Sequence, residues 1–276
     1  MHQPESNLQA ETRAMGVVVV REDRPEGGHL ARVTIDNRAK LNTLGRALMV
    51  EIVETVEALE ADAELRLVIL RGAGERAFVG GADIAELAAL DRDSARDFIT
   101  LVHRCCDGFR RLPVPVIARI DGYALGAGLE LAAACDLRIA SERSAFGMPE
   151  VRVGIPSVVE AAILPQLIGH GRARRLILTG ETIGAKEALD WGLVDWVAPP
   201  VELDAAVERV ATALLAGGKA ALRIQKALIA EWQDLSTSAA IARGIDAFAE
   251  AYESDEPRRM AGARLAALSA RRRTPG

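Results

Sequence analysis

Apolar and polar positions follow two rhythms along this chain, and the rhythm changes near residue 203. The β-branched runs at 17–20 and 32–36 flank a polar stretch at 21–29, the pattern of a hairpin with a long loop. Leu44, Leu48, Ile52, Val56 and Leu59 then recur every three or four residues, which predicts a helix capped by Asn42 or Thr43. Residues 67–70 read as a short buried strand ended by Gly72 and Gly74. Ser94 and Asp97 have capping-box spacing, and Phe98, Val102, Cys105 and Phe109 follow at helical intervals. Residues 114–120 form another apolar strand, entered through Pro113 and Pro115.

Strand and helix therefore alternate over the first half, as in a layered α/β domain. From Leu203 the strand pattern stops. Leu203, Val207, Val210 and Leu214 make one helical stripe, and Ile241, Ile245, Phe248 and Tyr252 make another. Gly217-Gly218 and residues 254–257 punctuate these helices. No internal repeat or low-complexity tract is visible. The expected organisation is a mobile tail at 1–15, an α/β core at 16–202 and a helical section at 203–276.

Composition narrows the function classes. With 276 residues, 50% of them hydrophobic, the chain buries a core without a disulfide or metal staple. Its 34 basic and 39 acidic residues give a net charge of −5, and the one basic run is Arg271-Arg272-Arg273. That balance disfavours nucleic acid as a partner. The N-terminus has no secretory pattern, and apolar stretches such as 161–169 are too short to span a bilayer. A soluble, cytoplasmic protein with no membrane partner is expected. Cys105, Cys106 and Cys135 are an odd set without Cys-x-x-Cys spacing, and His2, His29, His103 and His170 are scattered. These read as thiols in a reducing cytosol, with no metal site.

Several chemistries lack their motifs. Gly122, Gly126 and Gly128 have the wrong spacing for a dinucleotide fingerprint, and neither a P-loop nor a Gly-x-Ser-x-Gly elbow occurs. Two glycine-rich turns remain, at 78–84 and at 122–128, each following an apolar strand and opening a helical stretch. Small residues let a ligand approach the backbone, and first-turn N–H groups favour negative charge. Facing one another, two such turns would hold a developing oxyanion; the plain alternative is tight packing. Glu130 lies in the otherwise apolar run 124–134, and Glu150 follows Met148-Pro149. Burial raises a carboxyl's pKa towards values suited to proton transfer near neutrality. Ion pairs of Glu130 with Arg138 and of Glu150 with Arg152 are the alternative.

Taken together, these segments resemble the crotonase superfamily, the enoyl-CoA hydratase/isomerase family. The resemblance runs through residues 35–44, 77–87, 115–130, 135–140, 146–150 and 178–194, and covers about 16–270. It implies an α/β crotonase fold: a spiral of ββα turns with a C-terminal helical section that packs trimers, often paired into hexamers. It also implies acyl-CoA thioester substrates and an enolate held by the backbone N–H groups of Ala82 and Ala127. Hydratase-like members keep glutamates at both positions filled here by Glu130 and Glu150. The implied reaction is addition of water to a 2-enoyl-CoA, giving a 3-hydroxyacyl-CoA. Glu130 would activate the water with help from Glu150, and Glu150 would protonate the α-carbon. Substrate contacts would involve Arg38, Lys40, Leu41, Asp83, Ile84, Gly126 and Pro149. Coenzyme A is part of the substrate, so no separate cofactor is implied. Isomerisation, thioester hydrolysis or acyl-CoA binding without catalysis are the other readings.

The chain departs from the family pattern in three places. Ala85 stands where a lysine is frequent, and Arg259 and Arg264 replace frequent Glu and Phe. Residues 154–160 lack the usual glycines. Glu160 in that segment reads as a helix N-terminal charge or as a third acid of the pocket.

Overall fold

The structure is a computed structural model that describes residues 15–25 and 27–273, so the expected tail, Met15 apart, lies outside the described residues. Strands β1 (Gly16–Asp23) and β2 (His29–Asp36) form the predicted antiparallel hairpin, with Val17 opposite Ile35. Helix α1 (Arg46–Glu60) follows and turns Leu48, Met49, Ile52, Val53, Val56 and Leu59 into the core. Its cap differs from the expectation. Gly45 is the N-cap residue and offers no side chain, so the Glu86 carboxylate accepts the Arg46 N–H at 3.0 Å instead. Asn42 is buried and donates to the carbonyls of Ala73 and Ala77, which holds the chain ahead of the helix.

The middle of the chain repeats one geometric unit. Strands β3 (Leu65–Gly72) and β4 (Ala77–Val79) lead into α2 (Ile84–Ala88) and α3 (Arg92–Arg111). Strands β5 (Val116–Ile120) and β6 (Tyr123–Leu125) lead into α4 (Ala127–Ala134). Strands β7 (Leu137–Ser141) and β8 (Ala145–Gly147) lead through 3-10 helices Pro149–Val153 and Val159–Ile163 into α5 (Leu164–Ile168) and α6 (His170–Thr179). Strand β9 (Thr182–Gly184), helix α7 (Ala185–Trp191) and strand β10 (Trp196–Ala198) close the region. The first strand of each unit joins a sheet ordered β1-β2-β3-β5-β7-β10, and the second joins a sheet ordered β4-β6-β8-β9. Within both sheets these successive strands are parallel. This is the expected spiral of ββα turns. The second strands have three residues each, too short for an alternation to register, and two of them lie within or beside the stretches read as glycine turns.

Capping of α3 also differs in detail. Asp91 is the N-cap and Ser94 closes the box from the third helical position, with the Ser94 N–H donating to Asp91 Oδ1 at 2.8 Å. Ser94 had the right chemistry and the opposite end of the motif.

The large sheet is covered on both faces, as parallel sheets require. Val33, Ile35, Val68 and Leu70 join the main core with α1 and α3. Leu30, Leu67, Ile69, Ile117 and Ile139 meet Leu203, Val207, Ala211 and Leu215 of α8 (Leu203–Leu215). Helices α9 (Lys219–Trp232), α10 (Thr237–Ala251) and α11 (Glu256–Arg273) complete the chain. Helix α10 packs against α9 yet leaves Ile241, Ile245 and Phe248 exposed. Among the described residues no helix is long and apolar enough to cross a membrane.

Candidate active site

A cavity of about 230 Å³ opens between the two glycine-rich turns, α3 and the 3-10 helix Pro149–Val153. Its wall is mainly apolar, with Leu87, Phe98, Val102, Leu125, Ile155 and Val158 prominent. Ala82, Ile84, Gly126, Ala127, Glu130, Pro149 and Glu150 all line it.

The first turn is fixed by a single parallel bridge. The Leu44 N–H donates to the Gly81 carbonyl at 2.8 Å, and the Asp83 N–H donates to the Leu44 carbonyl at 2.9 Å. In such a bridge the middle residue, Ala82, turns its own N–H away from the partner strand. Asp83 then caps α2, accepting the Ala85 N–H at 2.9 Å. In the second turn Ala127 is the first residue of α4, so its N–H has no acceptor within the helix. Neither the Ala82 nor the Ala127 N–H donates to a described residue.

Two close approaches dictate the glycines here. Gly126 has φ +51°, and a Cβ on it would stand 2.1 Å from Glu150 Oε1. A Cβ on Gly128 would stand 2.0 Å from the Val79 carbonyl oxygen, so α4 seats directly on β4. Sequence spacing marked both glycines as turn residues. What they make room for is a carboxylate and a strand.

Glu130 lies in the first turn of α4 and is 3% exposed. Its Oε1 accepts the Ala161 N–H at 3.2 Å, the one hydrogen bond its side chain makes to the described residues. Burial, with the Glu150 charge adding to it, pushes its carboxyl up to about 8. Glu150 is raised as well, again by burial, while the Ser157 hydroxyl donates to its Oε2 at 2.8 Å and opposes the rise. The arginines offered as ion-pair partners are engaged elsewhere. Arg138 pairs with Asp195 at 3.3 Å, and Arg152 donates to the Thr179 carbonyl. Two uncompensated carboxyls thus share one apolar cavity. Ser157 escaped the sequence reading; its signal was its place in the atypical segment after Glu150.

The residues expected to contact the substrate fall into two groups. Ile84, Gly126 and Pro149 line the cavity, whereas Arg38, Lys40, Leu41 and Asp83 stand outside its lining. Lys40 Nζ lies 2.9 Å from Asp83 Oδ2, and Arg38 pairs with Asp36. Leu41, at φ +55°, gives its carbonyl to the Gly80 N–H at 2.8 Å and so props the first turn. Glu160 does sit in the first turn of the 3-10 helix Val159–Ile163, and its side chain reaches His103 rather than the cavity.

Comparison with known proteins converges on one family. Residues 26–264 match the family model described as enoyl-CoA hydratase/isomerase. The short-chain-enoyl-CoA hydratase of Clostridium acetobutylicum is 36% identical over 83% of this chain and 88% of its own. The crotonyl-CoA hydratase of Syntrophomonas wolfei is 36% identical over 82% of this chain and 88% of its own. Among solved structures, the enoyl-CoA hydratase from Bacillus anthracis superposes with a TM-score of 0.82 at 32% identity, covering 94% of this chain and 98% of that one. The family match runs from β2 through the ββα spiral, both turns around the cavity and most of the C-terminal helices, and the chain therefore belongs to the enoyl-CoA hydratase/isomerase family.

Proposed function

We propose that this protein is an enoyl-CoA hydratase, adding water across the 2,3-double bond of a 2-enoyl-CoA to give a 3-hydroxyacyl-CoA. The observation that carries the reading is the meeting of two carboxyls, the buried Glu130 and the half-buried Glu150, with two unengaged backbone N–H groups in one apolar cavity. The Ala82 and Ala127 N–H groups receive the thioester oxygen as it gains enolate charge; losing one such donor costs about 10²–10³ in rate.

Hydration needs one base and one acid, which a carboxyl pair holding a single proton supplies. Glu130 takes a proton from water as the oxygen bonds to the β-carbon, and Glu150 gives its proton to the α-carbon. Burial favours the proton on Glu130, so the reaction requires that proton to pass to Glu150 before Glu130 can act on the water. The relatives named as short-chain-enoyl-CoA and crotonyl-CoA hydratases support this reaction class. The coenzyme A moiety runs past residues 38–41, with Arg38 and Lys40 beside its phosphates and Leu41 and Asp83 bordering it. The exposed Ile241, Ile245 and Phe248 supply an apolar face for a homotrimer or a dimer of trimers. Three buried free thiols fit a cytoplasmic setting. The reaction requires no cofactor.

The test follows loss of enoyl-thioester absorbance for the wild type, Glu130→Gln and Glu150→Gln. Turnover by wild type that drops by about 10²–10⁴ in each variant supports the two-carboxyl reaction. Binding of acyl-CoA without hydration by wild type overturns it and turns attention to isomerisation or hydrolysis.

A further inference from the structure

Behind Glu130, away from the acyl cavity, lies a second acid that the hydration reading leaves without a task. Glu160 is 5% exposed, its Oε1 is 2.7 Å from His103 Nδ1, and its Oε2 is buried without a hydrogen-bond partner among the described residues. His103 sits on α3 with its side chain 48% exposed, so the pair links the interior to solvent. The segment holding Glu160 is built at a cost. Val159, a β-branched residue, has φ +41°, a conformation that such residues rarely adopt without a functional reason. The next residue but one, Ala161, supplies the N–H that holds Glu130. The 3-10 helix Val159–Ile163 packs on both α4 and α3, which puts the two carboxyls on facing elements.

We propose that His103 and Glu160 form a positioning pair for Glu130: His103 keeps Glu160 ionised inside the protein, and that fixed negative charge behind Glu130 keeps a proton there until substrate and water arrive. The inference rests on the hydratase reading and deepens it by adding a control on the acid–base pair. The surroundings agree. Burial raises Glu160, and its hydrogen bond to His103 opposes that rise; Asp107 on the same helix adds to it. Glu130 faces Glu150 and Glu160 as like charges; Cys106, which feels both Glu130 and Glu160, and Cys105, which feels Glu160, are thiols of α3 raised by burial that stay neutral.

The test compares wild type, Glu160→Gln, Glu160→Asp, His103→Gln and the His103→Gln/Glu160→Gln double variant. Two readouts are taken: the pH profile of kcat/KM with crotonyl-CoA, and carboxyl titration by carbon NMR on ¹³C-glutamate-labelled protein, with Glu130→Gln assigning the Glu130 signal. Losing the charge behind Glu130 moves its titration and the alkaline limb of the profile down by about one pH unit in Glu160→Gln. His103→Gln moves them the same way, because an unpaired buried Glu160 takes up a proton. The double variant moves no further than either single one, as a shared mechanism requires, and Glu160→Asp restores most of the wild-type profile. Unshifted titrations, or a uniform activity loss that adds in the double variant, assign the pair to packing alone and overturn the proposal. If Glu160→Gln does not fold, the surface variant His103→Gln and Glu160→Asp decide between these outcomes. Absence of hydration in wild type defeats the hydratase reading, whereas the NMR titration still judges the pair.

Discussion

The carboxylate of Glu150 occupies the space where Gly126 has no side chain: a Cβ there would lie 2.1 Å from Glu150 Oε1. One turn thus does two things. Its backbone presents the Ala127 N–H, and its missing side chain seats a carboxyl beside that donor. Gly126→Ala is expected to fail on both counts, since alanine is strained at φ +51° and displaces Glu150. Hydratase turnover should fall by at least about 10²-fold, with stability reduced by about 1–3 kcal/mol. Steady-state kinetics beside thermal unfolding of the variant checks both figures.

Glu130 makes stability depend on pH. Its folded carboxyl, at about 8, stands above the ordinary value of 4.5, so the folded state binds the proton more tightly than the unfolded one. The stability associated with that proton is fully present below about pH 4.5 and is lost as pH rises through about 8, at roughly 1.4 kcal/mol per unit of pKa difference. Glu130→Gln removes this dependence. The variant should be inactive yet melt higher than wild type at pH 9, and the difference should shrink towards pH 5. Equal melting curves at both pH values would count against a buried, raised carboxyl.

Beyond the cavity of Glu130 and Glu150 lies a second apolar chamber of about 420 Å³, lined by Leu90, Arg92, Ala95 and Arg96 and sharing Leu87, Phe98, Ile99, Ile155, Pro156 and Val158 with the first. Ile99 stands at this junction. Ile99→Trp is expected to spare crotonyl-CoA and to lower kcat/KM for eight-carbon and longer enoyl-CoAs by about tenfold or more, the scale of apolar pocket discrimination. A chain-length series measured on wild type and variant reads this directly. Parallel losses at every length would place the acyl chain elsewhere.

Asp83 is a joint between the first turn and the polar flank, since it caps α2 and also receives Lys40. Its carboxyl is held below the usual range, first by the Lys40 hydrogen bond. Asp83→Ala should cost about 0.5–2 kcal/mol, as losses of N-caps do, while Asp83→Asn retains most of the cap. Lys40→Ala, which leaves the cap intact, should raise KM for the acyl-CoA more than it lowers kcat. Urea unfolding of the Asp83 variants and kinetics of the Lys40 variant separate the two roles.

The sequence by itself determined those elements whose signals are local. The 3.6-residue stripes of α1, α3, α8 and α10 and the β-branched runs of the hairpin follow from side-chain periodicity. The change from an α/β core to helices at Leu203 was legible for the same reason. The apolar settings of Glu130 and Glu150 are contiguous in the chain, so both stood out locally, and the resemblance added the roles they imply. Only the tertiary structure decided what each group touches. Strands of three residues carry no period, so β4, β6 and β8 appear through pairing with one another across 20 or more intervening residues. The cap of α1 comes from Glu86, 40 residues away. The choice between ion pairs and uncompensated carboxyls rested on where Arg138 and Arg152 turn their guanidinium groups: Arg138 pairs with Asp195, and Arg152, although it lines the cavity, donates to the Thr179 carbonyl. His103 on Glu160, across 57 residues, belongs to the same class. Hydrogen bonds and burial between distant segments are set by packing, and no local pattern in the chain encodes them.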